Sequence, residues 1–419
     1  MTFRFAVAAL IALFFLHPAP ADAKETPVSP KVWGYVARPD GSIGVYHLDT
    51  RTGDLRVVPR NTVSAVSSKT PARPLMLVAH PSGRYVYAFA PFEPYNDGMD
   101  INDEGTPRDI RKRLPVWQVR VYRVIAASGA LKAVQTARVP VPLAGLIPHP
   151  SGRFLYGVGP DGILCVLTVS KDGALTAGKR VRIGDTFGVV SDLYNDGPWQ
   201  ITFAPNGKTL YTLSGSYSME YRNYEWRQWR VGADGGLTKI GDTWEYRSIR
   251  DGNAPKSVRE DPGMIRAVSP KGDTIVARGG SGTVWVCRTN PRTGGILPPG
   301  KPLPLSNLGG DGEHRFHANP RYPLVYVGKE YVPTTRYGVY RWGAAGELRK
   351  TGSFAPLLSS KQNTMLYAEP TGRYLIEWGR TTVATHRTNE RGDVTPARAA
   401  KRLPNETGWA VLFVAPPTP

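Results

Sequence analysis

The stretch HPSGRYVY at 80–87 returns almost letter for letter as HPSGRFLY at 149–156. Aligning the chain on its proline finds further copies: APNGKTLY (204–211), SPKGDTIV (269–276) and EPTGRYLI (369–376). A sixth, NPRYPLVY at 319–326, keeps the proline and the following apolar run but has no glycine. Proline pre-sets φ and glycine tolerates φ > 0, the chemistry of a tight turn. Aromatic and β-branched residues on either side favour strands. Each copy therefore predicts a β-hairpin.

The residues after each hairpin repeat in kind. A third strand is predicted at 116–124, 162–169, 225–231, 283–289, 337–342 and 381–388. A Gly- or Asp-containing turn then leads to a fourth, as in GALKAVQTARV (129–139) and GALTAGKRVRI (173–183). Units of four antiparallel strands at a regular spacing are the signature of propeller blades. A seventh unit is split between the termini. VWGYVA (32–37), SIGVYHLD (42–49) and DLRVVPR (54–60) read as second, third and fourth strands with no first. GWAVLFVAP (408–416) is a lone strand whose Pro416 matches the repeat proline. The prediction is an all-β, seven-bladed β-propeller of four-stranded blades. The C-terminal strand pairs into the first blade and removes the open edges.

Composition agrees. The 419 residues include 45 Gly, 38 Pro, 20 Tyr and 10 Trp, the makeup of a turn-rich β protein. Residues 1–23 read as a secretory signal peptide: Arg4, an apolar run from Phe5 to Leu16, and Ala21-Asp22-Ala23 as cleavage site. The apolar run is too short to span a bilayer, which takes roughly 20 residues. The expectation is an exported protein, periplasmic or extracellular, with one domain over 24–419 and no transmembrane segment. Cys165 and Cys287 fall in third strands of blades three and five, a whole blade apart, so they are expected to be unpaired buried thiols.

The H-P-S-G-R-[YF]-[VL]-Y hairpin, with its V-x-V-Y-type third strand and G-x-L turn, resembles the seven-bladed lactonase-like propellers over nearly all of 32–416. That group spans 6-phosphogluconolactonase-like proteins, carboxymuconate-cyclising enzymes and YVTN-repeat surface proteins. The resemblance implies the fold and leaves two activities open. Enzymes of the group typically carry a His-x-His pair on an inner strand. The matching strand here is LAGLIPHPSG (143–152), without the pair, and Pro160-Asp161-Gly162 stands where a P-D-L-G-x-D-like stretch would be.

In a blade the Pro-x-Gly hairpins share one end of the ring. Predicted insertions at 90–115, 185–198, 214–224, 247–262, 306–313 and 328–336 all fall at the other end, and loops on a rigid scaffold are where binding concentrates. Inner-strand residues expected beside that rim are Gln200, Arg266, Glu313, His314, Arg315, His317 and Asn363, with Trp409 from the closing strand. Glu313-His314-Arg315-Phe316-His317 is unusual, because it sets four polar residues where other inner strands carry Leu, Met or Ile. Buried polar groups need partners. A ligand and an internal hydrogen-bond network both satisfy the pattern. His80 and His149 belong to the hairpin and are read as structural.

The formal charge of +19 favours anionic partners. The expected partner is an anionic small molecule or glycan, or a protein, with no specific nucleic-acid motif. No metal or resident cofactor is expected. The nearest approach to a cation loop is DINDEG (100–105), where Asp100, Asn102 and Glu104 match the first half of a calcium loop but Arg111 occupies the twelfth position. No G-x-S-x-G elbow or Walker loop is present. The sequence thus predicts an exported lactonase-like propeller that binds on its loop-rich rim. The alternative is a lactone hydrolase or cyclase at the central channel.

Overall fold

A computed structural model describes residues 31–38, 40–59, 62–64, 76–90, 117–143, 145–159, 162–183, 201–217, 221–249, 262–269, 271–279, 284–290, 296–297, 314–329, 336–344, 346–358, 364–379, 381–403 and 410–416. They form seven antiparallel sheets. The second blade runs Met76–Ala79, Tyr85–Phe89, Trp117–Val124, Leu131–Val139, and the third Gly145–Pro148, Phe154–Val158, Ile163–Val169, Leu175–Arg182. Blades six (His314–Ala318, Leu324–Lys329, Tyr337–Trp342, Leu348–Phe354) and seven (Met365–Ala368, Tyr374–Trp378, Thr382–Thr388, Val394–Arg402) follow the same order. In the first blade the strand Ala410–Val414 pairs antiparallel with Val32–Ala37, with Val36 opposite Val411 and Trp33 opposite Val414.

The core shows the ring independently of strand pairing. Side chains of a strand alternate between its faces, so each blade offers one apolar set to the blade before it and one to the blade after. Val86 and Ala88 pack with Tyr35 and Val45 of blade one, whereas Tyr85, Tyr87 and Phe89 pack with Leu146, Leu155 and Cys165 of blade three. Similar clusters join blades three to four, four to five, five to six and six to seven. The last joins Tyr374, Ile376 and Trp378 of blade seven to Val32, Val36, Tyr46 and Phe413 of blade one. Seven interfaces for seven blades leave no open end.

The repeated hairpins are stitched to one another. Gly83, Gly152, Gly207, Gly272 and Gly372 all have φ between 68° and 72°, and each donates its N–H back to the residue three before it. His80 Nε2 lies 2.8 Å from the Gly152 carbonyl, and His149 Nε2 2.8 Å from that of Gly207. A carbonyl only accepts, so each ring carries its proton on Nε2, and Nδ1 accepts from Ser82 N–H or Ser151 N–H. Burial holds both imidazoles below the ordinary histidine value and so in the neutral form. A methyl group at Gly207 would sit 2.6 Å from the His149 ring. Both histidines are structural, as expected. The copy without glycine turns differently. Asn319 Oδ1 accepts from the N–H groups of Arg321 and Tyr322, while its Nδ2 donates to Gly372 O at 2.9 Å, repeating the histidines' link.

Three blades vary in detail. Among the described residues blade five shows three strands, Pro262–Val268, Thr274–Gly279 and Val284–Arg288, and the bridge Thr289–Ile296. Blade one gains a short strand, Val63–Ser64, against Ser42 and Ile43. In blade four the predicted insertion at 214–224 is strand on both sides of 218–220. Thr209–Tyr217, Tyr221–Val231 and Leu237–Ile249 form a ribbon longer than any other blade, extended as far as the Tyr221–Ile249 pair. Cross-strand pairing overrides the loop-like composition of GSYS. Cys165 and Cys287 are free, buried and in separate interfaces. Burial raises both thiols, Cys287 to about 12. No described helix is long and apolar enough to cross a membrane.

Candidate functional site

The strand directions put every Pro-x-Gly turn at one end of the ring. Each second strand therefore ends at the opposite rim, and each inner strand begins there. Arg266 lies on the inner strand of blade five and His314, Arg315 and His317 on that of blade six, and these two strands are neighbours. The inner strand of blade seven, Met365–Ala368, flanks blade six on its other side. Arg266, His314 and Arg315 are fixed here at the level of backbone position. In register, His314 stands opposite Lys329, Arg315 opposite Gly328 and His317 opposite Tyr326. His317 is half-buried. Phe316 packs into the interface between blades five and six, so alternation turns His317 toward blade seven, the side on which Asn319 bonds Gly372.

Gln200, Glu313, Asn363 and Trp409 lie outside the described residues, as do Asp100, Asn102 and Glu104 of the calcium-like loop. The strands that border them do lie at the rim: Ile201–Phe203 opens one residue after Gln200, and His314 begins its strand one residue after Glu313. Among the described residues no group of three or more His, Cys, Asp or Glu is placed to hold a metal.

One polar pair was not anticipated. Glu377 and His386 of blade seven are both fully buried, with Oε1 and Nε2 3.3 Å apart. The other carboxylate oxygen accepts from Leu357 N–H at 2.8 Å and Leu358 N–H at 3.0 Å, in the connection arriving from blade six. The Phe354 ring covers the imidazole at 4.9 Å. Counting from the hairpin glycine, the position of Glu377 holds Ala88, Gly157, Thr212 and Ala277 in other blades. The position of His386, opposite Leu375, holds Tyr122, Leu167 and Cys287 in theirs. A small–large apolar pair has been exchanged for an acid and an imidazole. That double departure was a readable signal in the repeat alignment. Sealed from solvent, the pair anchors the connection that feeds the inner strand of blade seven.

Neither the family models nor the curated proteins compared with the chain match it by sequence. Its fold is similar to that of several solved structures. The periplasmic gluconolactonase PpgL of Pseudomonas aeruginosa superposes with a TM-score of 0.56 at 16% identity, over 93% of this chain and 100% of that one. A Bacteroides uniformis protein, provisionally described as a 6-phosphogluconolactonase, gives 0.58 at 15% identity, over 92% and 99%. A functionally unknown protein from Desulfotomaculum acetoxidans gives 0.53 at 13% identity, over 92% and 99%. At these identities what is shared is the fold, a seven-bladed β-propeller.

Proposed function

We propose that this lactonase-like propeller is exported and binds an anionic or carbohydrate-like ligand at the rim opposite its hairpins, on the inner strands of blades five to seven. The observation that carries the reading is the inner strand of blade six. His314, Arg315 and His317 occupy it beside the strand of Arg266; in register, Arg315 and His317 stand where blade two has Met76 and Val78 and blade three has Gly145 and Ile147. Arginine suits a carboxylate ligand, because its planar fork meets both oxygens at once. Gln200, Glu313 and Asn363 complete the candidate set.

The second reading is a lactone hydrolase or cyclase, and the gluconolactonase name carried by one structural neighbour favours it. In that case Glu313, His314 or His317 would take a proton from the water attacking the lactone carbonyl, and Arg266 or Arg315 would hold the carboxylate released when a sugar-acid lactone opens or the free carboxylate of a dicarboxylate lactone. A thermal-shift series with gluconate, galacturonate and their lactones, followed by turnover of the lactones, separates the two. Binding lost in Arg266→Ala and His314→Ala without any turnover supports the binding protein. Turnover by the parent that both variants lose supports the enzyme. Neither binding nor turnover with any of these compounds would sink both.

A further inference from the structure

The fourth strands form the outer wall of the ring, and in four of the blades that strand is charged with one sign only. Leu131–Val139, Leu175–Arg182, Leu348–Phe354 and Val394–Arg402 carry Lys132, Arg138, Lys179, Arg180, Arg182, Arg349, Lys350, Arg398, Lys401 and Arg402. All ten are exposed, and the four strands hold no Asp or Glu. Nearby acids lie in turns toward the hairpin end: Asp172, Glu347, Glu390 and Asp393 precede three of these strands, and Asp234 precedes the fourth strand of blade four. Two of them reach the wall, Asp234 pairing with Lys179 and Glu347 with Arg349. The cations form two arcs. Blades two and three are joined at their outer strands, where Gln135 Oε1 accepts from Leu175 N–H and Nε2 donates to Leu175 O. The outer strands of blades six and seven are likewise neighbours.

Charge on an edge strand guards against edge-to-edge pairing. The outer strands of blades one and four do mix signs, with Asp54 beside Arg56 and Asp242 and Glu245 beside Lys239 and Arg247, so edge protection does not require the single sign of the other four. We infer that the two arcs are a docking surface for a linear acidic polysaccharide, separate from the rim site. Six of the ten cations are arginines, whose fork matches a carboxylate. Between them stand exposed hydroxyls at Thr136, Thr176, Thr351, Ser353 and Thr395, suited to sugar hydroxyl groups. The four strands present no exposed aromatic ring, since Phe354, their one aromatic, is buried. Single-stranded nucleic acid relies on such rings for base stacking, which favours a polyuronate.

The test uses polygalacturonate as probe at low ionic strength with the full chain and three double charge reversals. Arg180→Glu/Arg182→Glu alters one arc, and Arg398→Glu/Arg402→Glu the other. Lys208→Glu/Arg230→Glu makes the same change in net charge at two exposed sites on blade four, in its hairpin and third strand and not on an outer strand. Each arc variant should bind at least about tenfold more weakly, with the loss fading as salt is raised, while the control stays within about twofold. Circular dichroism establishes that each variant is folded before its binding is scored. Equal losses in all three variants would reduce the effect to net charge and overturn the inference. So would absence of saturable binding by the parent protein, or tighter binding of duplex DNA than of polygalacturonate.

Discussion

Replacing Glu377 by alanine should destabilise the ring more than any surface change, and the structure says by how much. The carboxylate accepts two backbone N–H groups, from Leu357 and Leu358, and faces the Nε2 of His386. Removing it strands both donors, Leu358 N–H buried and Leu357 N–H partly so, at about 1–3 kcal/mol for each unsatisfied buried group. It also leaves a buried imidazole facing a cavity; the two stranded donors alone come to about 2–6 kcal/mol. The measurable consequence is a thermal midpoint lower by roughly 4–12 °C, taking about 2 °C per kcal/mol for a chain of this size. Glu377→Gln keeps an acceptor oxygen for the two N–H groups and should fall about halfway. The double change Glu377→Ala/His386→Leu restores the apolar pairing seen at Gly157 and Leu167 and should recover part of the loss. Thermal unfolding followed by near-ultraviolet circular dichroism reports all three. A midpoint for Glu377→Ala within about 1 °C of the parent would refute the anchoring argument outright.

Three further outcomes are expected. Gly207→Ala places a side chain at φ 68° and 2.6 Å from the His149 ring; the αL strain alone is about 1–2 kcal/mol, and the clash adds to it, so the denaturant midpoint should drop without a change in m-value. His80 and His149 are held below the ordinary histidine value in the folded chain, so the unfolded chain binds protons first as pH falls. Their contribution is intact above pH about 6.5 and is lost progressively below it. The double variant His80→Asn/His149→Asn, which copies Asn319, should therefore show a flatter decline in midpoint between pH 7 and 5. Native protein should react negligibly with a thiol reagent at neutral pH, with two equivalents appearing only on denaturation, because Cys165 and Cys287 are buried and shifted toward the protonated thiol.

The architecture was legible because its determinants are local and repeated. Pro-x-Gly encodes a turn wherever it stands, and five copies of it with alternating apolar residues set the blade spacing. Closure was legible by subtraction: a blade without an inner strand at one terminus and a strand without a blade at the other. What escaped depended on pairing. Nothing local in the Ser214–Tyr217 segment distinguishes a loop from an extended ribbon, and only its partners 221–225 and 245–249 decide it. Glu377 and His386 are nine residues apart and ordinary in isolation; their meaning comes from the register and the packing of Phe354. The rim set was legible as an excess of polar residues on one inner strand. Geometry cannot be read from that excess, because polarity names an exception to packing but not the ligand or network that answers it.

The first blade holds Val32–Ala37 and borrows its innermost strand, Ala410–Val414, from beyond the other six blades. Its hydrogen-bonded neighbours Trp33 and Val414 are separated by nearly the whole polypeptide. During synthesis, Tyr35 and Val36 wait, with an unsatisfied backbone beside them, until the strand Ala410–Val414 has left the ribosome. Contacts so distant in sequence slow the final ordering and lengthen the time in which sticky intermediates are at risk. A chain of this design therefore matures as a unit. An incomplete copy, stalled or clipped anywhere before Val411, is a substrate for quality control rather than a smaller working version of the same molecule.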